Sequence, residues 1–562
     1  MENIKIQLNK ISVIYVFLII WLIINLLQST FTGLGHDEAY YWFYSQKLQW
    51  GYFDHPPAIA LFIKLTSIFG NSPFMVRFSI VLLGALTILL IYKTIQPKKV
   101  LLFCLVISSV AIFQVISFVA TPDTILVFFC SLFFYSYKKY LDKNNLLNSL
   151  WVLISISGMV YSKYHAFLLI AFVVLSNLFI LRRISFWILT LLALIIYLPH
   201  ILWQFSNHFP SMSYHFVERS HDESFRMMAI PEYLGGQIGI FGPFVSIFLF
   251  YYLFKAKAKD YFQKALKYSS IAIFIFFLAS VLKGNVQANW TLVIFPGIII
   301  FSYPYIEERI QIHRILKIIS FISIFLLIVV RIQLASNAIP FLNSMRNEFY
   351  GWEKWAKDLK QRAGQRQVVF HNSYQKASKY YFYTGDSTTT FSDWVYRKSQ
   401  FDLSGIEQKL QNRSIFFVDA FDNPNNSGLF VNSFGDTTRF IQIDSLFSVY
   451  NYQVRVENPP KVMRCGTIFS INVEVHKPDY KEITGCYQSD IWLFCELYQK
   501  GKIIQYDTIC NLKGKPIHSD FKTLAKIKLP ENPGIYYFRF SLQTGNLPPG
   551  LNSKLLKIKL EN

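Results

Sequence analysis

"GHDEAYYWFYSQKLQWGYFDHPP", Gly35 to Pro57, sets three carboxylates, two histidines and a dense run of aromatic residues directly after the apolar stretch Ile11 to Leu27. Charge next to so long an apolar run is costly unless the run crosses a bilayer and the charged segment lies at its mouth. The rest of the chain has to be read with a membrane in view.

The 562 residues are 53% hydrophobic with a mean hydropathy of +0.31, and they contain apolar runs too long for ordinary core helices. Spans are expected near 11–28, 73–92, 100–118, 124–137, 147–161, 164–181, 184–203, 236–254, 268–282, 290–305 and 315–334, about eleven transmembrane helices. The runs near 147–161 and 268–282 are short for a bilayer and read equally as re-entrant or tilted segments. The first run lacks an Ala-x-Ala-like cleavage site, so it reads as a retained span and not as a removed signal.

The net charge of +21 would suit a nucleic-acid partner, but the charges fall in the wrong places for one. Lys93, Lys98, Lys99, Lys138, Lys139, Lys143, Arg182, Arg183, Lys255, Lys257, Lys259, Arg309 and Arg314 fill alternate loops. That side is expected to be cytoplasmic, with the N-terminus on it, in a multi-pass protein of the cytoplasmic (inner) membrane. An odd span count then puts the opening stretch and everything after Arg331 outside the cytoplasm. Cys465, Cys486, Cys495 and Cys510 cluster in that outer tail, where disulfides are chemically allowed, and their pairing stays open.

The fold class expected is a mainly α polytopic membrane protein with C-terminal extracytoplasmic α/β and β-sandwich-like regions. Residues 1–334 form the membrane part, with long outer loops at 29–72 and 204–235. Residues 335–450 read as a small α/β domain, with strands at "VVFHN" and "SIFFVDAF" and a helix in "NSYQKASKYYFYTG". Residues 451–562 alternate apolar and polar positions in "TIFSINVEVH", "SDIWLFCELYQ" and "GIYYFRFSLQ", the pattern of an antiparallel β-sandwich.

Chemistry is expected in the long outer loops. "DEAYYWFYSQKLQW" has helical spacing and reads as an interfacial helix ended by Pro56 and Pro57. Asp37 and Glu38 sit just beyond the first span, and Asp123 in "TPD" reaches the same outer face between the third and fourth. Each alone fits a helix start. Two carboxylates converging at one membrane edge are harder to explain by capping, because ionisable groups there usually face a cavity. Lys163 in "YSKYHAF" brings a cation to that face, and His215 and Arg219 in "YHFVERSHD" bring further donors suited to an anionic group. Snorkelling to the interface is the plainer use of such a lysine. Tyr41 and Tyr164 accompany these residues as candidate substrate contacts. Asp54 and His55 in "FDHPP" could position a substrate hydroxyl or, with His215, serve a divalent metal, although two or three such ligands fall short of the usual count. Phosphate-binding glycine loops, Rossmann fingerprints, Cys-x-x-Cys pairs and Gly-x-Ser-x-Gly elbows do not occur, which weighs against nucleotide-driven transport, redox and serine-hydrolase chemistry.

Taken in order, "HDEAYYW", "WGYFDHPP", "TPD", "SKYHAF", "ANWTLVIFPG" and "RNEFYGW" resemble the GT-C glycosyltransferases of the protein-mannosyltransferase-like (PMT/ArnT-like) superfamily, over residues 30–355. The resemblance implies transfer of a sugar, with inversion, from a polyprenyl-phosphate donor on the outer leaflet to a lipid, protein or glycan acceptor. It implies that Asp37 is the essential acidic residue acting as base or holding the acceptor, that Asp123 is the second acidic motif, and that Lys163 contacts the donor phosphate. The aminoarabinose transferases of this group have an acidic residue followed by Lys-Pro-Pro, whereas this chain has Asp54-His55-Pro56-Pro57.

The residues suit such a reaction in their own right. Attack on an anomeric carbon needs a base near the incoming hydroxyl and a cation near the departing phosphate. A polytopic lipid or sugar transporter or flippase is the alternative; it predicts charges near span midpoints and inverted repeats, and neither is visible. A membrane-anchored scaffold or glycan-binding protein is a third reading, in which Asp37 would be dispensable.

Overall fold

The first apolar run becomes helix α1 (Glu2–Phe31) in the computed structural model of the chain, which describes residues 2–218, 227–282, 284, 286–339, 346–420, 427–476, 490–499, 502–512, 520–545 and 547–562. Next come α2 (His36–Gln46), α3 (Ala58–Ser67), α4 (Pro73–Ile95), α5 (Val100–Ser108), α6 (Ala111–Ile116), α7 (Pro122–Asp142), α8 (Leu146–Ser162), α9 (Ala166–Ser176) and α10 (Ile184–Ser206). Every segment read as a span is helical, and the chain is a multi-pass membrane protein.

Among the described residues, six helices are long and apolar enough to cross a membrane: Ser12–Phe31, Pro73–Ile95, Ile184–Ser206, Tyr261–Val281, Ala288–Glu308 and Ile310–Ser336. The remaining expected spans are shorter, broken or more charged. The run at 100–118 breaks between α5 and α6, α8 has 17 residues, α9 has 11, and α7 carries Asp123 at its start and Lys138, Lys139 and Asp142 at its end. Helices Ala229–Ile240 and Val245–Lys255 meet at 109°. Gly242 makes that bend with φ +95, and a Cβ there would lie 2.5 Å from the Ser109 carbonyl oxygen, so only glycine fits.

The chain packs as two compact units. One comprises Met1–Ser211 with Ser224–Tyr350, the other Met212–Glu223 with Gly351–Asn562. The membrane unit has one large apolar core drawn from α1, α4, α5, α7, α8 and the later helices.

In the second unit, β1 (Gln367–His371), β2 (Thr389–Phe391), β3 (Ile415–Val418), β4 (Ser427–Val431) and β5 (Thr437–Ile443) form a sheet in the order β2-β1-β3-β5-β4. The pairs β1–β2 and β1–β3 are parallel, as the intervening helix Tyr374–Thr384 requires. The strand-rich end contains β6 (Gln453–Val456), β7 (Val462–Arg464), β8 (Ile468–His476), β9 (Ile491–Gln499), β10 (Lys502–Asn511), β11 (Phe521–Lys528), β12 (Gly534–Thr544) and β13 (Leu556–Glu561). Its two sheets, β10-β9-β12-β13-β7 and β11-β8-β6, bury one shared core that includes Val473, Leu493, Ala525 and Phe540. The sandwich is antiparallel as expected except for β7, which pairs in parallel with β13.

Candidate functional site

Helix α2 is not the interfacial helix its spacing suggests. Its residues from Glu38 to Ser45 are all buried, because the aromatic side chains and Glu38 turn inward. Arg77, in the second turn of α4 and wholly buried, donates from Nε to Glu38 Oε1 at 2.7 Å and from Nη2 to Oε2. The guanidinium also donates to the carbonyls of Thr32 at 2.6 Å and Gly33 at 2.7 Å, just past the end of α1. The backbone amides of Gly35, at 2.8 Å, and Ala120, at 2.7 Å, complete the Glu38 carboxylate. A carboxylate out of water is tolerated only with this kind of pairing.

The Ala120 bond fastens the first turn of α2 to the loop leading into Thr121-Pro122-Asp123, so the two acidic motifs separated in sequence are joined through Glu38. Asp37, the next residue back, is exposed, whereas Asp123 is buried at 6% exposure. His36, which opens α2, donates its backbone amide to Glu348 Oε1 at 2.5 Å.

Asp123 lies in the first turn of α7 and Lys163 caps the C-terminus of α8, so each charge complements its own helix dipole. They meet as a buried pair, Nζ to Oδ1 at 2.8 Å, and Asn289 donates to Oδ2 at 3.0 Å. The neighbouring Tyr164 hydroxyl accepts from Gln204 at 3.0 Å and faces His200 Nε2 at 3.2 Å. His200 Nδ1 lies 2.7 Å from the Trp50 carbonyl, an acceptor only. The imidazole therefore donates from Nδ1, and its Nε2 accepts a hydrogen bond from the Tyr164 hydroxyl.

The "WGYFDHPP" segment folds back on α2. Tyr44 donates to buried Asp54 Oδ1, Tyr41 and His55 Nε2 stand 3.2 Å apart, and the Tyr44 and Tyr52 rings stack at 4.2 Å. Burial first, and the Asp54 charge second, push the Tyr44 hydroxyl well above its ordinary range, which keeps it a donor. Gly51 lies under the Trp203 ring, where a Cβ would come within 2.3 Å.

Of the residues singled out from the sequence, Asp37, Glu38, Tyr41, Asp54 and His55 group around α2, and Asp123, Lys163 and Tyr164 group at the ends of α7 and α8. His215 belongs to the other compact unit, and Arg219 and Cys486 lie outside the described residues. Among the described residues no three His, Cys, Asp or Glu side chains are arranged to hold a metal. Sequence reasoning missed Arg77, Asn289, His200 and Gln204. A lone arginine in the apolar run "PFMVRFSIVLLGAL" was the available signal for the first, and "ANWTLVIFPG" contains the second.

A family model described as dolichyl-phosphate-mannose-protein mannosyltransferase matches residues 54–203. The crystal structure of ArnT from Cupriavidus metallidurans in the apo state is similar with a TM-score of 0.58 at 12% identity, over 77% of this chain and 98% of that one. The structure of the same protein bound to undecaprenyl phosphate gives 0.55 at 13% identity, with the same coverage. No curated protein matches. The resemblance drawn from the motifs is borne out, and the fold is that of ArnT, a GT-C fold.

Proposed function

We propose that the protein is an integral membrane glycosyltransferase, moving a sugar with inversion from a polyprenyl-phosphate donor to an acceptor hydroxyl on a glycolipid, protein or surface glycan, at the outer face of the cytoplasmic membrane. The observation that carries this reading is the bond between Glu38 and the Ala120 amide. It ties an exposed carboxylate, Asp37, to a motif whose own carboxylate, Asp123, holds a buried lysine.

Asp37 accepts the proton of the acceptor hydroxyl while the oxygen forms its bond to the anomeric carbon from the side opposite the phosphate. The bond from that carbon to the phosphate oxygen breaks, and its electron pair leaves with the polyprenyl phosphate. Lys163 offsets the departing charge, with Asp123 and Asn289 holding it in place. Glu38 has both oxygens engaged and supports the site instead of touching the sugar. In this reading Tyr164, with His200 and Gln204, and Tyr41, with His55, shape the donor and acceptor ends, and Asp54 supports them through Tyr44. The lipid phosphate is already activated, so no nucleotide enters the step.

The test uses the full chain in reconstituted membranes, with a panel of polyprenyl-phosphate sugars and envelope extract as acceptor. Release of polyprenyl phosphate by the wild type, lost in an equally folded Asp37→Asn variant that still binds donor, is the expected outcome. Turnover that survives Asp37→Asn sinks the role of that residue. If the wild type acts on no donor, and labelled lipid nevertheless crosses the bilayer, the transporter reading takes its place.

A further inference from the structure

In the strand-rich end of the second unit, one sheet face carries polar groups that packing alone does not account for. Along β9, Leu493, Cys495 and Leu497 turn into the shared core, as do Phe538 and Phe540 of β12. Side chains alternate across a strand, so Trp492, Phe494, Glu496 and Tyr498, with Arg539 and Ser541, stand on the opposite face. Arg539 lies directly opposite Glu496 in the antiparallel register, and Ser541 lies opposite Phe494 beside them.

Glu496 and Ser541 are wholly buried, and Arg539 nearly so. Among the described residues, both Glu496 carboxyl oxygens, Arg539 Nε and Ser541 Oγ are nevertheless without a hydrogen-bond partner. Arg539 and Ser541 are near enough to act on the Glu496 charge, yet neither makes a hydrogen bond with it. Buried polar atoms in this state are costly, and four of them on one patch mark a place whose partners come from outside the chain, as water or as a ligand.

The surroundings suit a ligand with both an apolar and a polar face. Trp394, from the loop after β2, packs its ring against Phe494 at 6.3 Å and Tyr506 at 5.4 Å, and its carbonyl accepts the Tyr498 hydroxyl at 3.1 Å. Tyr506 pairs with Glu496 across β10 and β9 and is 62% exposed, and Trp492 is 38% exposed, so solvent reaches the residues beside the polar patch. Aromatic rings of this kind take the C–H face of a sugar, while a carboxyl, a guanidinium and a hydroxyl offer acceptors and donors to its hydroxyls. An apolar peptide would leave the four buried atoms unpaired, and an anionic group would compete with Glu496 for Arg539.

We propose that this face of the sandwich, centred on Glu496, Arg539 and Ser541 and edged by Trp394, Trp492 and Tyr506, is a binding site for a neutral saccharide. The sugar ring stacks on the exposed aromatic residues, and its hydroxyls replace water on the three buried side chains. The site lies wholly within the second unit and does not depend on the glycosyltransferase reading.

The experiment takes the full chain in lipid nanodiscs, with no lipid-linked sugar present, and titrates it calorimetrically with mannotriose, maltotriose and tri-N-acetylchitotriose, with trigalacturonate as an acidic comparison. At least one neutral trisaccharide is expected to bind saturably, and trigalacturonate more weakly. Tyr506→Ala, on the exposed edge, is expected to weaken that binding about tenfold at an unchanged unfolding temperature, roughly the worth of one ring. Ser541→Ala is expected to weaken it about fivefold and Arg539→Met about thirtyfold, as for a neutral and a charge-assisted hydrogen bond. Saccharide bound to the wild type is expected to slow amide exchange in β9 and β12 and to leave β8 and β11 unchanged, which a merely structural patch would not do. No binding by any neutral trisaccharide overturns the proposal, and so does binding that survives both Arg539→Met and Tyr506→Ala. A lowered unfolding temperature in Arg539→Met, with Ser541→Ala and Tyr506→Ala binding as the wild type does, shows a purely structural patch and overturns it too. Saccharide binding by a chain that releases no polyprenyl phosphate in the transfer assay overturns only the glycosyltransferase reading.

Discussion

Glu38 and Arg77 form an ion pair with essentially no exposure to solvent, and the same carboxylate receives the amides of Gly35 and Ala120, so one side chain joins the end of α1, the start of α2, α4 and the loop before α7. Removing one member leaves the other charged and buried, at a cost of about 3–5 kcal/mol. Glu38→Gln and Arg77→Met are each expected to lower the unfolding temperature of the detergent-solubilised chain markedly, and excess donor lipid is not expected to restore it. An unfolding temperature within a degree or two of wild type for either would show that the pair is not what binds these elements.

Asp37, the next residue, is exposed, and its substitution should act on chemistry alone. Asp37→Asn is expected to leave the unfolding temperature unchanged and to lower transfer by about 10²–10⁴-fold, the usual contribution of a positioned general base. Parallel scans of stability and polyprenyl-phosphate release check both halves. Together with Glu38→Gln, this separates two adjacent carboxylates that sequence alone treats as a pair.

Lys163 and Asp123 are coupled directly, so their effects should not add. On the proposed mechanism Lys163→Ala is expected to weaken binding of a polyprenyl phosphate as well as to slow transfer, because it removes the cation assigned to the leaving group. Asp123→Asn leaves that cation in place but with an amide where its carboxylate was, and is expected to slow transfer mainly by misplacing it. A double-mutant cycle on transfer rate is expected to show a coupling of about 0.5–3 kcal/mol, whereas strict additivity would mean that the pair does not work as a unit.

Much of the architecture was legible because lipid imposes it. Apolar runs marked all six helices that are long enough to cross a membrane among the described residues, and alternation marked β8, β9 and β12 but not β10 or β11. What sequence misread was direction. The aromatic residues of α2 look like an interfacial belt, but their partners are Asp54, His55 and Tyr52, which the fold of 50–57 brings in from beyond the helix. Arg77 and Asn289 went unnoticed for a related reason, since a charged or amide side chain gains its meaning from a partner 39 or 166 residues away. β2 is three residues long and β7 pairs in parallel, so neither leaves a periodic signal of its own.

The second unit carries a pH dependence set by two buried carboxyls, Glu407 and Glu496. Glu407 accepts from the Ser448 hydroxyl and from the Tyr450 amide at 3.1 Å, which fastens the helix Ile406–Leu410 to the segment leading into β6. Burial lifts its carboxyl to about 7 against the hydrogen bond from Ser448, and burial likewise lifts Glu496 in β9 to about 8 against Ser541 and Arg539. An acid raised in the folded state binds its proton more tightly there than in the unfolded chain. Its contribution is therefore fully present below the unfolded value near pH 4.5 and is lost as pH rises through 7 for Glu407 and 8 for Glu496. Stability of this unit is expected to fall between about pH 4.5 and 8, with Glu407 accounting for on the order of 3 kcal/mol at most. Glu407→Gln keeps an acceptor for Ser448 and Tyr450 but cannot ionise, so it should roughly halve the slope between about pH 4.5 and 7 and leave the fall due to Glu496, which runs on to about pH 8. Exchange protection of β3 and β12 amides in the full chain, followed across this range, is the measurement. Protection that rises with pH in the wild type, or a Glu407→Gln curve that keeps the wild-type slope below pH 7, would show that Glu407 is not buried as a neutral acid.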